Sequence, residues 1–266
     1  MSDAPSAVRA ASLHQQRASR PASAATAGRG SHWRQRSPIL VFVAVTLAGY
    51  VLLAALMIGL GFLLVDVVLP YHGIGSADES VNDWLASHRD PGLSDGSYIA
   101  SAVGDIPFIP ALVILTALGA ALLRQWRAFG LIVGAILVEV ATYRVTSLVV
   151  HRQRPSVPRL DPDHLPVNQS YPSGHVAAAV VVYVGLALLL SRRVRSRRAA
   201  VAIWTLGIAL PLVVALSRMY RGMHHPIDAA AGILMGAAAI AIALVATRAA
   251  SEAARARSSS SAAEGS

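Results

Sequence analysis

Three polar segments of this sequence contain residues whose types and spacing could do chemistry, among them histidine, arginine and aspartate. The first begins with HRQRP at residues 151–155, the second ends with YPSGH at 171–175, and the third is SRMYRGMHHPID at 217–228. Each segment directly borders a long apolar run, so its side chains are predicted to lie where helices begin or end. Polar groups gathered at the mouth of a helix bundle indicate a binding or catalytic site.

His224 and Asp228 are separated by one helical turn, which places both on one face of a helix. There the carboxylate can accept a proton from one imidazole nitrogen, which fixes the tautomer and raises the nucleophilicity of the other nitrogen. A purely structural hydrogen bond at a helix start explains the same spacing. His225 is rotated by about 100° around such a helix, so we expect it to be a surface residue.

The segment Pro172–Ser173–Gly174–His175 precedes an apolar run that starts at Val176. Ser173 is suited to be a helix N-cap, and Gly174 allows close approach of a ligand to the backbone. The free amides and the positive end of the helix dipole would then face an anion beside His175. Helix capping alone remains the simpler alternative.

Arg152, Arg154 and Arg218 add permanently charged, planar guanidinium groups to the same predicted face. They suit the oxygens of a phosphate and would stabilise charge at a pentacoordinate phosphorus. Anchoring to lipid headgroups is the alternative for any single arginine. Arg159 lies in the same loop, and we assign it no role.

The elements that must position these residues are transmembrane helices. The chain has 266 residues, of which 55% are hydrophobic and 14% charged, with a mean hydropathy of +0.53. A soluble domain carries about 25% charged residues, so the composition indicates an integral membrane protein. Six apolar stretches approach the ~20 residues that cross a bilayer as a helix; they are residues 39–69, 106–123, 128–150, 176–191, 199–217 and 227–247. The predicted fold class is therefore all-α, a bundle of about six transmembrane helices.

The arginine distribution predicts the orientation of this bundle. Sixteen arginines lie in the N-terminal tail, the 124–127 and 192–198 turns and the C-terminal tail, against six in the three opposite loops. Both termini are therefore expected to be cytoplasmic, with the polar segments on the outer face. We expect disordered tails at residues 1–38 and 248–266 around a membrane domain at 39–247. Val81, Trp84 and Leu85 in the first outer loop suggest a short helix lying on the membrane surface.

Composition also excludes several classes of site. The absence of cysteine excludes thiolate metal centres and a cysteine nucleophile. A net charge of +9 is compatible with nucleic acid binding, but the basic residues sit in short blocks between apolar runs, which is the membrane pattern. The spacing of Asp161, Asp163, His151 and His164 is not diagnostic of a metal site, so we expect no metal and no cofactor.

Taken together, these motifs resemble the type 2 phosphatidic acid phosphatase superfamily. The family pattern is Lys, six residues, Arg-Pro; then Pro-Ser-Gly-His; then Ser-Arg, five residues, His, three residues, Asp. The second motif is complete at residues 172–175, and the third is complete as Ser217, Arg218, His224 and Asp228. In the first motif Arg154 and Pro155 match, but Ser147 stands at the lysine position. The resemblance covers about residues 70–245.

The resemblance implies a metal-independent, membrane-embedded lipid phosphatase of a bacterial cell membrane, with its site facing outside. His224 would attack phosphorus and form a phosphohistidine, and Asp228 would orient it. His175 would protonate the leaving oxygen and then activate water. Arg154, Arg218, Ser173 and Gly174 would bind the phosphoryl oxygens. The motifs read only the phosphate, so undecaprenyl pyrophosphate, phosphatidic acid and phosphatidylglycerol phosphate all remain candidate substrates, and the oligomeric state is not predicted.

The missing lysine leaves one phosphate contact to be explained. Arg152 is the nearest replacement in the chain, and Arg144 lies one helical turn below Ser147. Arg144 could instead form an ion pair with Glu139 or Asp66 inside the bundle. If neither arginine compensates, the protein is a slow family member. The alternative from a different functional class is an anion-binding transporter, but a transporter leaves His175 and the His224/Asp228 pair unexplained. A vanadium haloperoxidase is disfavoured, because those enzymes are usually soluble.

Overall fold

The computed structural model describes residues 37–71, 73–105, 108–160 and 169–264, and within these ranges the chain is helical with no strand. The expected disordered tail falls almost wholly outside the described residues. The helices are α1 (Pro38–Phe62), α2 (Ile74–Ser87), α3 (Pro91–Ala102), α4 (Phe108–Leu122), α5 (Trp126–Val149), α6 (Gly174–Ala179), α7 (Gly185–Ser191), α8 (Arg197–Tyr220) and α9 (Pro226–Glu264). Two π-helical segments interrupt this pattern: Leu63–Val68 extends α1, and Val180–Val184 joins α6 to α7.

Five of these helical units are long and apolar enough to cross a membrane: Pro38–Val68, Trp126–Val149, Gly174–Ser191, Arg197–Tyr220 and Pro226–Ser259. The remaining predicted stretch, residues 106–123, corresponds to α4, which at 15 residues is shorter and reaches only about 22 Å at 1.5 Å per residue. The all-α membrane bundle predicted from the sequence is therefore confirmed. Its outer surface carries exposed leucines on most of these helices, as lipid contact requires.

The centre of the bundle is formed by α9 packed against α1 and α5. Small residues allow this close approach, because a Cβ on Gly49 of α1 would lie 2.4 Å from Ile242, and one on Gly134 of α5 would lie 3.5 Å from Ala243. Lipid tails are as apolar as leucine, so tight packing of small residues, and not water exclusion, holds helices together inside a membrane. Helix α9 also packs directly against α6, so the functional motifs on these two helices are fixed relative to each other.

The arginine-rich turns meet at the end of the bundle opposite the polar segments. Arg193, after α7, donates to the side chain of Gln125, before α5. Arg127 Nε donates to Ser251 Oγ on α9 over 2.9 Å. These contacts bring both turns and the last part of α9 to one end, as alternation of the helices requires. Which end faces the cytoplasm stays a prediction from the arginine count.

The C-terminal segment differs from the expectation of a disordered tail, because α9 continues without a break to Glu264. Residues 248–257, RAASEAARAR, are rich in Ala and Arg, which are strong helix formers. This composition explains why the segment continues the helix. The last turns of α9 simply leave the apolar part of the bundle as a polar helix.

The first outer loop forms two helices where one was expected. Pro91 opens α3 at its first position, and the side chain of Asp90 caps it by accepting from the Leu93 amide over 3.0 Å. On α2, Val81 and Trp84 are exposed as a membrane-surface face would require, whereas Leu85 is buried against the protein. The inward face of α2 also carries Asp78 and Asn82, which are both buried.

The contact between α9 and α6 gives a test of the packing argument. A Cβ on Gly236 would lie 2.6 Å from the Ala177 carbonyl oxygen and 2.8 Å from Val180 Cβ, whereas a Cβ on Gly119 of α4 would meet nothing within 4 Å. We expect Gly236→Ala to lower the detergent-solubilised melting temperature by several degrees, since overpacking costs about 1–3 kcal/mol. Gly119→Ala should leave it unchanged or raised, because alanine favours helix. Equal melting temperatures for the two variants would contradict the packing described here.

Candidate active site

The three polar segments converge at one end of the bundle, as the sequence predicted. Arg152 and Arg154 follow α5, His175 lies in the first turn of α6, Arg218 ends α8, and Asp228 begins α9. His224 lies in the short connection between α8 and α9, whose sharp turn uses a positive φ of 72° at Gly222. Because the helix ends hold these residues, the geometry of the site follows from the packing of the bundle.

The tautomer of His224 is fixed by a backbone carbonyl. Its Nδ1 lies 2.7 Å from the Ser170 carbonyl oxygen, and a carbonyl can only accept, so Nδ1 carries the proton. The other ring nitrogen, Nε2, is therefore left with its lone pair. This is the protonation state of a histidine nucleophile, and His224 is 97% buried, with 3% of its surface exposed.

Asp228 does not hydrogen-bond to His224, which corrects the pairing expected from their spacing. One oxygen of the buried carboxylate accepts from the Ser170 hydroxyl and from the His225 amide at 2.9 Å, while the other accepts from Arg152. Ser170 thus lies between the two residues: its hydroxyl contacts Asp228, and its carbonyl contacts His224. Asp228 reaches the candidate nucleophile through Ser170 and through its charge.

His225 is buried, which contradicts its assignment as a surface residue. Its Nδ1 lies 3.1 Å from Asp228, and its Nε2 lies 2.8 Å from Glu79 of α2. Burial alone would lower the pKa of His225, but the hydrogen bonds to Asp228 and Glu79 outweigh it and raise the pKa. The residue precedes the regular part of α9, so the helical rotation assumed from the sequence does not apply to it.

Arg152 contacts carboxylates, not an open site, which corrects its assignment as a phosphate ligand. Its two terminal nitrogens donate to Asp78 of α2 and to Asp228, and all three side chains are nearly inaccessible to solvent. The Arg152 carbonyl also accepts from the Ser170 amide at 2.8 Å. The guanidinium is therefore the counter-ion of two buried acids. The second candidate, Arg144, is exposed on α5 while Glu139 is buried, so the expected ion pair between them is also absent.

Arg154 and Arg218 are both buried beside His224. Arg154 donates to the Met223 carbonyl, and Arg218 donates to Ser101 Oγ over 2.8 Å. Burial first, and then the nearby charge of Arg218, lower the pKa of Arg154 to about 10. Burial first, and then Arg154, Arg218 and His175, hold the pKa of His224 well below its ordinary value, although Asp228 opposes them. Two cations held close together beside a neutral imidazole form a site for an anion with several oxygens.

Ser173 and Gly174 lie at the start of α6, as predicted, but the serine hydroxyl does not cap the helix. Ser173 is fully buried, and among the described residues its Oγ has no hydrogen-bond partner. The Ser173 amide is satisfied by the Asp228 carbonyl at 3.1 Å. A buried hydroxyl without a protein partner is costly unless a ligand or water completes it, so this atom suits a phosphoryl oxygen.

The partner of His175 was missed by the sequence analysis. Asp105, at the end of the segment that follows α3, accepts from His175 Nε2 at 3.1 Å. Both side chains are partly exposed, at 30% and 43%, so this pair faces the opening of the site. Asp105 was one of six acids in the first outer loop, and nothing in its spacing distinguished it.

Helix α2 supplies further contacts that no motif signalled. Asn82 Nδ2 donates to the His224 carbonyl at 3.0 Å and to the Met219 carbonyl at 3.1 Å, so it holds both sides of the turn around His224. Glu79 accepts from the Ser156 amide and hydroxyl as well as contacting His225. The inward face of α2 therefore supports the loops that carry the motif residues.

A cavity of about 830 Å³ opens beside Arg154. Its described lining includes the polar side chains of Gln153, Ser156 and Gln169, together with those of His151 and Arg159, and contains no carboxylate. Arg159, to which we assigned no role from the sequence, also lies close enough to Arg154 for its charge to lower the pKa of Arg154. Arg154 lines this cavity and also lies beside His224, so the cavity, here called the antechamber, borders the candidate active site with two arginines among its described lining.

A metal site is not evident in the part of the chain that the structure describes, where no three histidine or acidic side chains are grouped to hold an ion. Asp161, Asp163 and His164, whose spacing was considered above as a metal site, lie outside the described residues. The groups that converge on His224 are cationic, which is a donor set for an anion and not for a metal.

Comparison with known proteins agrees with the motifs. The profile of the PAP2 superfamily matches residues 127–252. A decaprenylphosphoryl-5-phosphoribose phosphatase of Mycobacterium tuberculosis is 33% identical over 136 residues, which are 49% of this chain and 68% of that protein. An undecaprenyl-diphosphatase of Sulfolobus acidocaldarius is 39% identical over 71 residues, which are 27% of this chain and only 30% of that protein's length.

A solved structure shares the arrangement of helices. The crystal structure of a transmembrane PAP2-type phosphatidylglycerolphosphate phosphatase from Bacillus subtilis superposes with a TM-score of 0.60 at 20% identity, covering 78% of this chain and 94% of the other. At that identity the likeness concerns the fold. The mycobacterial relative, the match to the PAP2 profile and the two complete motifs show that this chain belongs to the PAP2 superfamily.

Proposed function

We propose that this protein hydrolyses the phosphate of a membrane lipid through a phosphohistidine on His224, without a metal ion. The observation that carries the proposal is the state of His224. The Ser170 carbonyl holds its Nδ1 proton, burial and two arginines favour its neutral form, and its Nε2 keeps a lone pair. A neutral imidazole beside an anion pocket is the requirement for nucleophilic attack on phosphorus.

In the first step, His224 Nε2 attacks phosphorus and the bond to the lipid oxygen breaks. Arg154, Arg218, the free Ser173 hydroxyl and the backbone at Gly174 bind the phosphoryl oxygens, whose charge grows in the transition state. His175, held by Asp105, gives a proton to the leaving oxygen. The positive charge that forms on His224 is balanced by Asp228, through space and through Ser170.

In the second step, a water molecule gives its proton to His175 and attacks the phosphohistidine. The phosphorus–nitrogen bond breaks, inorganic phosphate leaves, and His224 returns to its neutral form. The proton accepted by His175 restores the acid that the next cycle needs. Arg152 has a different task in this scheme: it neutralises Asp78 and Asp228 so that the carboxylate beside the nucleophile stays in place.

We place the site at the outer face of a bacterial cell membrane, with both termini cytoplasmic. The arginine-rich turns lie at the opposite end of the bundle from the site, and positively charged loops are retained in the cytoplasm. A headgroup could then enter the site from the interface while its chain remains in lipid. Exposed Val81 and Trp84 on α2 are suited to that interface.

We further propose that the substrate carries two phosphate groups. The antechamber beside Arg154 offers Arg159, His151 and two glutamines beyond the scissile phosphate, which is more cationic and polar surface than a phosphate monoester needs. The names of the mycobacterial, archaeal and Bacillus proteins each describe a lipid with two phosphates. A diphosphate, or a phosphate joined to a second one by a short polar linker, therefore fits this site better than phosphatidic acid.

The test of the nucleophile compares two histidines. His224→Ala should lower phosphate release by about 10³-fold or more, because covalent catalysis has no substitute side chain. It should also abolish the acid-labile label that a radiolabelled lipid phosphate leaves on the wild-type protein, and wild-type turnover should persist in excess EDTA. His88→Ala is the matched control, because His88 is exposed at the end of α2 and bonds only to its own turn. Labelled protein in the His224→Ala variant would overturn the assignment.

The pH dependence follows from the lowered pKa of His224. Because protonation removes the nucleophile, kcat/KM should fall only when the pH drops through that pKa, which lies below the ordinary value of 6.5. The acid limb of kcat/KM should therefore lie below pH 6.5 and should move upward in Arg154→Gln, where one of the lowering charges is lost. The ionisation of the substrate phosphate, titrated separately, identifies its own limb. A limb above pH 6.5 that Arg154→Gln does not move would contradict the role of His224.

The test of the substrate class uses Arg159. Arg159→Gln should lower kcat/KM for undecaprenyl diphosphate and phosphatidylglycerol phosphate by about tenfold, the effect of losing one charge contact with a bound anion. Its kcat/KM for phosphatidic acid should change less than about twofold. Arg195→Gln, in the exposed turn at the far end of the bundle, is the control for total charge. Equal losses on all three lipids would exclude a second phosphate subsite.

A further inference from the structure

The position of the absent family lysine is not filled by any of the residues nearest to it in sequence. Ser147 is buried, and its hydroxyl donates back to the Arg144 carbonyl of its own helix at 3.2 Å, so it points away from a ligand. Arg144 is exposed on the outside of α5, and Arg152 is held by Asp78 and Asp228. Another side chain of α5, that of Tyr143, does face the site.

Tyr143 lies one helical turn before Ser147 on α5, and therefore on the same helix face. Its ring packs directly on the backbone of the Pro-Ser-Gly-His motif: a Cβ on Gly174 would lie 3.0–3.1 Å from three ring atoms, including the carbon that bears the hydroxyl. The hydroxyl is within electrostatic reach of Arg154, the phosphate-binding arginine of the first motif. Tyr143 is half-buried, and its ring therefore lies between the start of α6 and Arg154, the two parts of the site assigned to the phosphoryl oxygens.

We propose that the Tyr143 hydroxyl takes the place of the missing lysine by donating a hydrogen bond to a phosphoryl oxygen of the bound substrate. The inference rests on the proposed phosphatase function and assigns a substrate-binding residue that none of the family motifs contains. The phenol is neutral, so it supplies a directional donor where a lysine would supply a charge. The two buried arginines already provide positive charge, and a third cation beside them would raise the cost of burying them.

The position of the Tyr143 ring also favours a glycine at position 174. With the Tyr143 ring in place, a Cβ at position 174 would lie only 3.0–3.1 Å from three ring carbons, so a larger residue there would push the ring away by a few tenths of an ångström. The ring holds the hydroxyl in position because packing leaves it little freedom. A lysine reaching from position 147 would instead depend on a flexible four-carbon chain.

The experiment compares Tyr143→Phe with the wild type in lipid nanodiscs, using undecaprenyl diphosphate and phosphatidic acid. Phenylalanine keeps the ring against Gly174 and removes only the hydroxyl. We expect kcat to fall about 10- to 100-fold, with KM within about threefold, because the contact strengthens as charge develops on the oxygens. Vanadate, which mimics the pentacoordinate phosphorus, should bind more weakly by a similar factor. Tyr50→Phe, on the core-facing part of α1, is the matched control and should change none of these values.

A second pair of variants separates binding from structure. Ser147→Lys added to Tyr143→Phe should recover tenfold or more of the lost kcat, whereas Ser147→Lys alone should raise wild-type kcat less than about threefold, because the contact is already made. A purely structural role for Tyr143 would lower the active fraction but leave vanadate affinity unchanged and allow no rescue by lysine.

The outcomes distinguish this inference from the proposed function. If the wild type releases no phosphate from any lipid, the phosphatase function itself fails. If the wild type is active and Tyr143→Phe keeps its kcat and its vanadate affinity within twofold, Tyr143 is not a phosphate ligand. A tenfold gain from Ser147→Lys alone would overturn the inference even if Tyr143→Phe does not fold, because it would show that the lysine contact is missing from the natural protein.

Discussion

The buried negative charge of Asp228 is the constraint on which the rest of this site depends. The carboxylate is fully inaccessible at the start of α9, where an isolated ion would be very costly. Four donors compensate it: the guanidinium of Arg152, the hydroxyl of Ser170, and the amide and ring of His225. Each of these groups comes from a loop that must be in its native position, so satisfying one charge organises the whole end of the bundle.

The contacts that compensate Asp228 continue beyond it as a row of alternating negative and positive side chains. Arg152 lies between Asp228 and Asp78, and Asp78 in turn accepts from the amide of Ile227 at 3.1 Å. Removing any one member leaves a buried charge without its partner, which typically costs more than the pair contributes when it is intact. The network therefore acts as a condition for the fold at this end, and the position of His224 is a by-product of it through the Ser170 carbonyl.

Much of this arrangement could be predicted from the sequence, because it follows from local rules. Apolar length located the helices, and the motif spacing brought His175, Arg154, Arg218, His224 and Asp228 to one end of the bundle. The errors came where two distant segments meet. A spacing of one helical turn suggested that Asp228 bonds to His224, but His224 lies before the helix, and its carbonyl partner Ser170 belongs to another loop.

Arg152, His225 and α2 show the same difficulty. Arg152 was interpreted by its charge and its nearness to the motif, yet its partners include Asp78, which is 74 residues away. The spacing of Asp78, Glu79 and Asn82 on α2 does not predict their roles. Their hydrogen-bond partners lie in loops that follow much later in the chain. Backbone carbonyls, such as that of Ser170, leave no trace in the sequence at all. Tertiary hydrogen bonds of this kind are outside what one-dimensional patterns encode.

Helix α2 has two faces with different environments, and this has a practical consequence for handling the protein. One face exposes Val81 and Trp84, while the other holds Asp78, Glu79 and Asn82 against the loops around His224. A detergent that binds the exposed face strongly enough to lift the helix would release all three inner contacts together. Solubilised samples could then keep their transmembrane bundle, and pass tests of helix content and size, while losing the arrangement around His224. Lipid nanodiscs, which preserve a flat interface beneath α2, are therefore the appropriate setting in which to assay this protein.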